Sequence, residues 1–223
     1  MLQKTVPSRQ VNLGVIPIGT GNDWVKTHKI PLDYKKAIQI IKNGALKQQD
    51  IGEIQLQNRV IFFNNLAGIG FDGYVVSKVH KYKHLGAIAY LYGTLKGLFA
   101  FKNFDVEIDC NQTKIKTKAL MVLVGLCKYS GGGMQLTKTP TIDDGLFDIS
   151  IAHNFKAFDI VKNIIKLFNG LVTKDPKIES LKTTQISIET KDKNLPIQAD
   201  GELIGYGSFS VTIHPKALSF FSA

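Results

Sequence analysis

At 223 residues, with 44% hydrophobic and 21% charged residues, the chain holds enough apolar material for a sizeable core, which excludes a disordered or fibrous polypeptide. Its net charge of +10 comes almost wholly from lysine, since Arg9 and Arg59 are the only arginines; it fits solvated faces or an anionic partner, and argues against nucleic acid, which arginine grips best. Cys110 and Cys127 show no C-x-x-C spacing, which excludes a disulfide framework and a zinc site.

The start, Met1 to Pro7, has no apolar signal-peptide region, and no stretch is long enough to span a bilayer. The expected location is the cytoplasm, with peripheral attachment to the membrane left open. A short strand is expected over Leu13 to Ile18. It runs into Gly19-Thr20-Gly21, and Asn22 or Asp23 then opens a helix that stops near Pro31. Glycines let a backbone approach an oxyanion closely, and free amides at a helix start favour negative charge. The Thr20 hydroxyl and the Asp23 carboxylate could add a phosphate contact and a magnesium-water contact. A capped glycine turn with no ligand is the alternative.

Asp33 caps the next helix, with apolar Ala37, Ile38, Ile40 and Ile41, and Gly44 ends it. One strand and these helices make half of an alternating α/β unit, with its opening strands missing. From about Asp50 the texture changes to strands. Gly52–Gln57 and Arg59–Leu66 read as a hairpin around Gln57-Asn58. Further strands are expected over Phe104–Asp109, Lys114–Gly125, Leu146–Ala152, Gln185–Glu189 and Ser208–His214. Helical inserts are expected over Tyr74–Tyr82, Leu85–Phe101 and Phe155–Leu171. The second insert is either a buried core helix or an apolar wall against a lipid. Many short strands with few helices indicate a β-sandwich.

Chemistry-bearing residues gather at turns. Asn64 to Asp72 gives an Asn-ended strand, a Gly-x-Gly turn and an acidic helix start, or a plain capped turn. Ser130-Gly131-Gly132-Gly133-Met134 suits either close approach of a ligand to the backbone or a plain flexible loop. Asp143-Asp144-Gly145-Leu146 is a turn signal whose carboxylates could also hold a hard cation such as Mg²⁺ or Ca²⁺. Gln198-Ala199-Asp200-Gly201-Glu202 reads as a hairpin turn around Asp200-Gly201, with Glu202 available as a general base toward a hydroxyl.

Taken together and in this order, these clusters resemble the diacylglycerol kinase catalytic-domain family, which includes bacterial lipid kinases, sphingosine kinases and ceramide kinases. The matching runs are Pro17 to Asp23, Asp50 to Gly52, Asn65 to Asp72, Gly131 to Met134, Asp144 to Asp148, and Asp200 to Glu202. The resemblance implies an α/β plus β fold. A nucleotide-binding α/β domain, truncated here to residues 1–50, precedes a β-sandwich domain with helical inserts over 51–223, and the active site lies in the cleft between them. It implies transfer of the ATP γ-phosphoryl group to a lipid hydroxyl at the membrane surface, diacylglycerol before other acceptors, with Mg²⁺. By match to the family motif, Gly19, Thr20, Gly21 and Asn22 line the nucleotide phosphates and Asp50 sits near the nucleotide. Asp23 joins a carboxylate, water and magnesium network, and Glu202 deprotonates the acceptor. Asp144 and the carbonyl of Leu146 match a structural metal site.

One departure stands out. The Gly-Gly-Asp-Gly-Thr loop with which the family binds nucleotide occurs nowhere in this sequence, so the expectation is a gene fragment or a shortened kinase without independent activity. The alternatives are a non-catalytic sandwich that binds a lipid surface or partner, and an NAD kinase-like phosphotransferase. The acceptor lipid and the oligomeric state are not readable from the sequence.

Overall fold

The computed structural model describes residues 11–19, 21–82 and 101–222. The helix expected over Leu85–Phe101 lies, Phe101 apart, outside the described residues, as does Thr20.

Two antiparallel layers close on each other through a shared strand. The first layer runs β11 (Glu202–Tyr206), β10 (Pro196–Ala199), β4 (Leu66–Gly70), β6 (Thr113–Gly125), β7 (Phe147–His153) and β8 (Ile178–Thr183). The second runs β5 (Phe104–Cys110), β9 (Gln185–Glu189), β12 (Phe209–Ser222), β2 (Ala45–Leu56) and β3 (Arg59–Phe63). Strand β6 joins them: its first half pairs with β5, and its second half lies between β4 and β7. The layers face each other across an apolar filling. Phe63 of β3 stacks on Phe147 of β7 with ring centroids 5.9 Å apart. A Cβ on Gly205 of β11 would come within 2.4 Å of Leu56 in β2, so the layers touch there because glycine permits it.

Alternation produces this packing. Along β5, Phe104, Val106, Ile108 and Cys110 point into the core, while Asp105, Glu107 and Asp109 face outward and pair with Lys118, Lys116 and Lys114 of β6. The tight Asp200-Gly201 turn, with φ of 49° and 79°, joins β10 to β11 as a two-residue hairpin loop.

The leading segment is smaller. Helices α1 (Asp23–Thr27) and α2 (Tyr34–Asn43) enclose Val25, Ile30 and Ala37. The Asp33 carboxylate accepts the Lys36 N–H, as a cap should, and Gly44 follows the last turn. Strand β2 passes position 50 without interruption, so the segment and the sandwich share it.

Some expectations are corrected. The strand expected over Leu13 to Ile18 shrinks to β1 (Asn12–Leu13), which pairs with Ser219 and Phe220 of β12. Pro17 has no N–H to give a ladder, and Ile18 stands 89% exposed with no strand beside it among the described residues. Arg59–Leu66 breaks at Asn64-Asn65 into β3 and β4. The helix expected over Tyr74–Tyr82 forms as α3 (Phe71–Tyr82), whereas the one over Phe155–Leu171 becomes α4 (Ala157–Asn163) and two short 3₁₀ turns, Ile165–Leu167 and Leu171–Lys174, because Gly170 takes φ 75° between the turns. Strand β12 runs past His214 to Ser222.

Candidate active site

Beyond β6 the chain enters Ser130–Met134, whose end residues exchange two N–H···O bonds of 2.9 Å. Gly131, Gly132 and Gly133 between them have φ of 57°, 87° and 100°, values that side chains strain to adopt. The Gly132 N–H donates to the Asp23 carboxylate at 2.8 Å, across 109 residues of sequence. A Cβ on Gly133 would stand 3.0 Å from the Lys26 ammonium, which lies 4.2 Å above the Tyr129 ring. The Asn22 side-chain amide donates to the Gly19 carbonyl at 2.8 Å and shapes the neighbouring turn, which includes Gly21. The N–H groups of Gly131 and Gly133, and the second oxygen of Asp23, carry no hydrogen bond among the described residues. Open backbone donors beside a lysine suit an anion, and a spare carboxylate oxygen suits a cation that accompanies it.

A polar relay runs from this patch to the Asp200 hairpin. The Trp24 indole N–H donates to Gln49 at 2.9 Å, and the Gln49 amide donates to the Asn64 carbonyl. The Asp200 carboxylate accepts the backbone N–H groups of Asn64, Asn65 and Leu66 at 2.9, 2.9 and 3.1 Å. Although Asp200 is exposed at its turn, its carboxylate folds back onto this backbone. Removal from water raises its pKa, against the pull of the three donors. Gln198 then accepts the Gly201 N–H at 2.9 Å and donates to Asp72. Burial lifts the Asp72 carboxyl to about 6, with the Gln198 amide opposing. Glu202 follows immediately, exposed at the head of β11, with no side-chain partner among the described residues.

The relay thus joins Trp24, the residue after Asp23, to Asp200, two residues before Glu202, and the break at Asn64-Asn65 turns three backbone N–H groups toward the Asp200 carboxylate. Sequence reading missed Lys26 and Gln49, and placed Gln198 before the Asp200 turn without giving it a role. Glutamines inside strands leave no periodic signal, whereas Lys26, one helical turn after the glycine loop, was open to notice. Cys127 also lies here, but burial pushes its thiol pKa far up, so it is no nucleophile.

Asp50 and Asp144 belong to a different cluster. Successive strand residues point to opposite faces; Gln49 serves the relay, while Asp50 accepts the N–H groups of Gly145 and Lys216, both at 2.7 Å. Burial raises the Asp50 pKa, against these donors and with help from Asp144 and Asp143. Asp144 accepts the Leu146 N–H at 3.1 Å and the Lys182 ammonium at 2.7 Å, and Lys182 also stands 3.1 Å from buried Asp148. Desolvation works against the lysine charge, yet the two carboxylates outweigh it and raise the Lys182 pKa. A lysine here holds the place of a cation. No group of at least three His, Cys, Asp or Glu converges on a metal position among the described residues. In this arrangement the Lys182 ammonium is the cation that the Asp144 carboxylate meets.

Comparison with known proteins agrees with the fold. Residues 65–222 match the family model described as YegS C-terminal NAD kinase beta sandwich-like domain, and residues 1–54 match diacylglycerol kinase catalytic domain. A diacylglycerol kinase of Staphylococcus saprophyticus is 28% identical over 195 residues, which is 87% of this chain and 63% of that protein. The Bacillus subtilis diacylglycerol kinase is 28% identical over 200 residues, 86% of this chain and 63% of that protein. The chain therefore spans about six tenths of these relatives. A crystal structure of a diacylglycerol kinase from Bacillus anthracis superposes with a TM-score of 0.68 at 20% identity, covering 95% of this chain and 67% of that one.

Proposed function

Since the chain belongs to the diacylglycerol kinase and YegS-type lipid kinase family, we propose that its Asp23–Gly132 junction and Asp200 hairpin form the phosphoryl-transfer site of an ATP-dependent lipid kinase. The acceptor is the hydroxyl of a membrane lipid, diacylglycerol before others. The observation that carries this reading is the contact between the Asp23 carboxylate and the Gly132 N–H, with the relay that ties the same helix to the Glu202 hairpin.

Phosphoryl transfer asks for charge neutralisation and in-line placement more than for covalent help. The backbone donors of Gly131 and Gly133 and the Lys26 ammonium would hold phosphate oxygens, with Gly19, Gly21 and Asn22 on the facing turn. Mg²⁺, when bound with the nucleotide, spreads the charge of the phosphates. The open oxygen of Asp23 would hold one of its waters. Glu202 takes the proton of the acceptor hydroxyl as that oxygen attacks the γ-phosphorus and the bond to the bridging oxygen of ADP breaks, and Asp200 positions Glu202 by fixing the hairpin to three backbone donors. Asp50, by contrast, supports the Asp144 turn and reaches the nucleotide side only through its strand neighbour Gln49.

Radiolabelled ATP, Mg²⁺ and diacylglycerol in mixed micelles test the proposal on a full-length version, in which the chain is joined to a segment carrying the Gly-Gly-Asp-Gly-Thr loop. Labelled phosphatidic acid is expected, with Glu202→Gln lowering its rate by about two to four orders of magnitude at unchanged melting temperature. Full activity in that variant would remove Glu202 from the mechanism.

A further inference from the structure

Helix α4 and the 3₁₀ turns after it are apolar on both sides. The inner side is already used: Ile160 packs against Leu120, Ala152 and Phe155, and Leu167 packs against Leu66, Leu123 and Leu136. Outside, Phe158 is 76% exposed, Ile165 78% and Phe168 56%, with Val161 and Leu171 also exposed. Phe158 and Val161 lie three apart on α4, and Ile165 and Phe168 lie three apart on the 3₁₀ turn that follows directly, so the exposed apolar groups line consecutive turns of one short segment. A soluble helix normally turns a polar face to water, and a stripe of large apolar groups marks a contact surface.

Charge identifies the partner. Lys156, Lys162 and Lys174 border the stripe in exposed positions, with Lys166 half-buried among them, and none has an ion pair among the described residues. The nearby carboxylates are occupied: Asp159 pairs with Lys177 at 2.6 Å and accepts the Lys156 N–H, and Asp175 accepts from Asn163 and the Lys177 N–H. A second copy of the chain would set these lysines against their own kind, whereas an anionic bilayer offers both acyl chains and negative headgroups.

Position completes the case. The Gln135 N–H donates to the Leu167 carbonyl at 2.7 Å, and the Gln135 side chain donates to the Phe168 carbonyl at 3.0 Å. The stripe is thus fastened two residues beyond Gly133, beside the Gly132–Asp23 junction.

We propose that the Phe158–Leu171 stripe docks on the surface of an anionic membrane, apolar side chains in the acyl boundary and lysines on the headgroups. The purpose of that docking, presenting the site to lipid, rests on the lipid-kinase reading. The docking itself does not.

Co-sedimentation with vesicles of phosphatidylcholine alone and of equimolar phosphatidylcholine and phosphatidylglycerol tests it. The chain should partition onto the anionic vesicles and release as salt rises. Phe158→Ser with Ile165→Ser should weaken partition about tenfold, and Lys162→Glu with Lys166→Glu by a similar factor, with unchanged circular dichroism. Equal binding by wild type and both double variants, or no vesicle binding at all, overturns the proposal. So does a concentration-dependent dimer in sedimentation velocity that the apolar double variant abolishes, since the stripe would then serve a second copy. Vesicle binding by the chain with no kinase activity in the full-length version would defeat the kinase reading alone, and kinase activity of the full-length version in micelles without vesicle binding would defeat the docking alone.

Discussion

Phe63, Phe147 and Ile149 lie wholly enclosed between the two layers of the sandwich, whereas among the described residues of 11–44 only Val25, Ile30, Ala37 and His28 are buried and Ile18, Leu32 and Tyr34 face solvent. Apolar area holds the first region together. Polar and ring contacts hold the second against it: Asp23 to Gly132, Trp24 to Gln49, the Ser222 hydroxyl to the His28 carbonyl at 3.1 Å, and the ring of His28 on Phe220 at 4.4 Å. The candidate site lies on the seam between them. Its geometry therefore depends on contacts that can loosen while the sandwich stays folded.

The contrast can be broken most forcefully from the sandwich side. Phe63→Ala removes a side chain stacked on Phe147, and should cost about 4 kcal/mol in chemical denaturation. On the seam, burial lowers the His28 pKa from 6.5 to about 4, so the docked form keeps the imidazole neutral. The stability this contributes is complete above pH 6.5 and is lost as pH falls toward 4, to the extent of about 3 kcal/mol. Trp24 emission should therefore report undocking on acidification before far-ultraviolet circular dichroism reports loss of the sandwich, and His28→Phe should remove that early step.

A smaller effect is expected at the Asp50 cluster. Lys182→Met leaves Asp144 and Asp148 without their ammonium and should cost about 2 kcal/mol. If lysine stands where a divalent ion otherwise would, added Mg²⁺ or Ca²⁺ should raise the melting temperature of the variant and leave wild type unmoved. Smallest of all, Ile18→Ser should change stability by less than about 0.5 kcal/mol, because that side chain is already in water.

Much of this organisation was legible where local chemistry decides. Asp33 and Gly44 bound α2 as their types require, and Asp200-Gly201 makes the hairpin its residues favour. The alternation of Phe104 to Cys110 gives β5 directly. Strand β1 was misjudged because apolar character alone cannot supply a neighbour, and Pro17 removes a donor. Within the candidate site, the glycine loops and carboxylates were readable as types. Their grouping was not: nothing local shows that Asp23 meets Gly132, that Gln49 bridges Trp24 to Asn64, or that Lys182 reaches Asp144. Those contacts join distant strands, and topology alone sets them.

Trp24 is the chain's single tryptophan and follows Asp23 directly, so its emission during a titration with MgATP reads the seam itself. Wild type should show a saturable change, and Asp23→Asn should need about tenfold more nucleotide for the same change. Emission indifferent to MgATP, or a titration unaltered by Asp23→Asn, would contradict a nucleotide site at the Asp23–Gly132 junction.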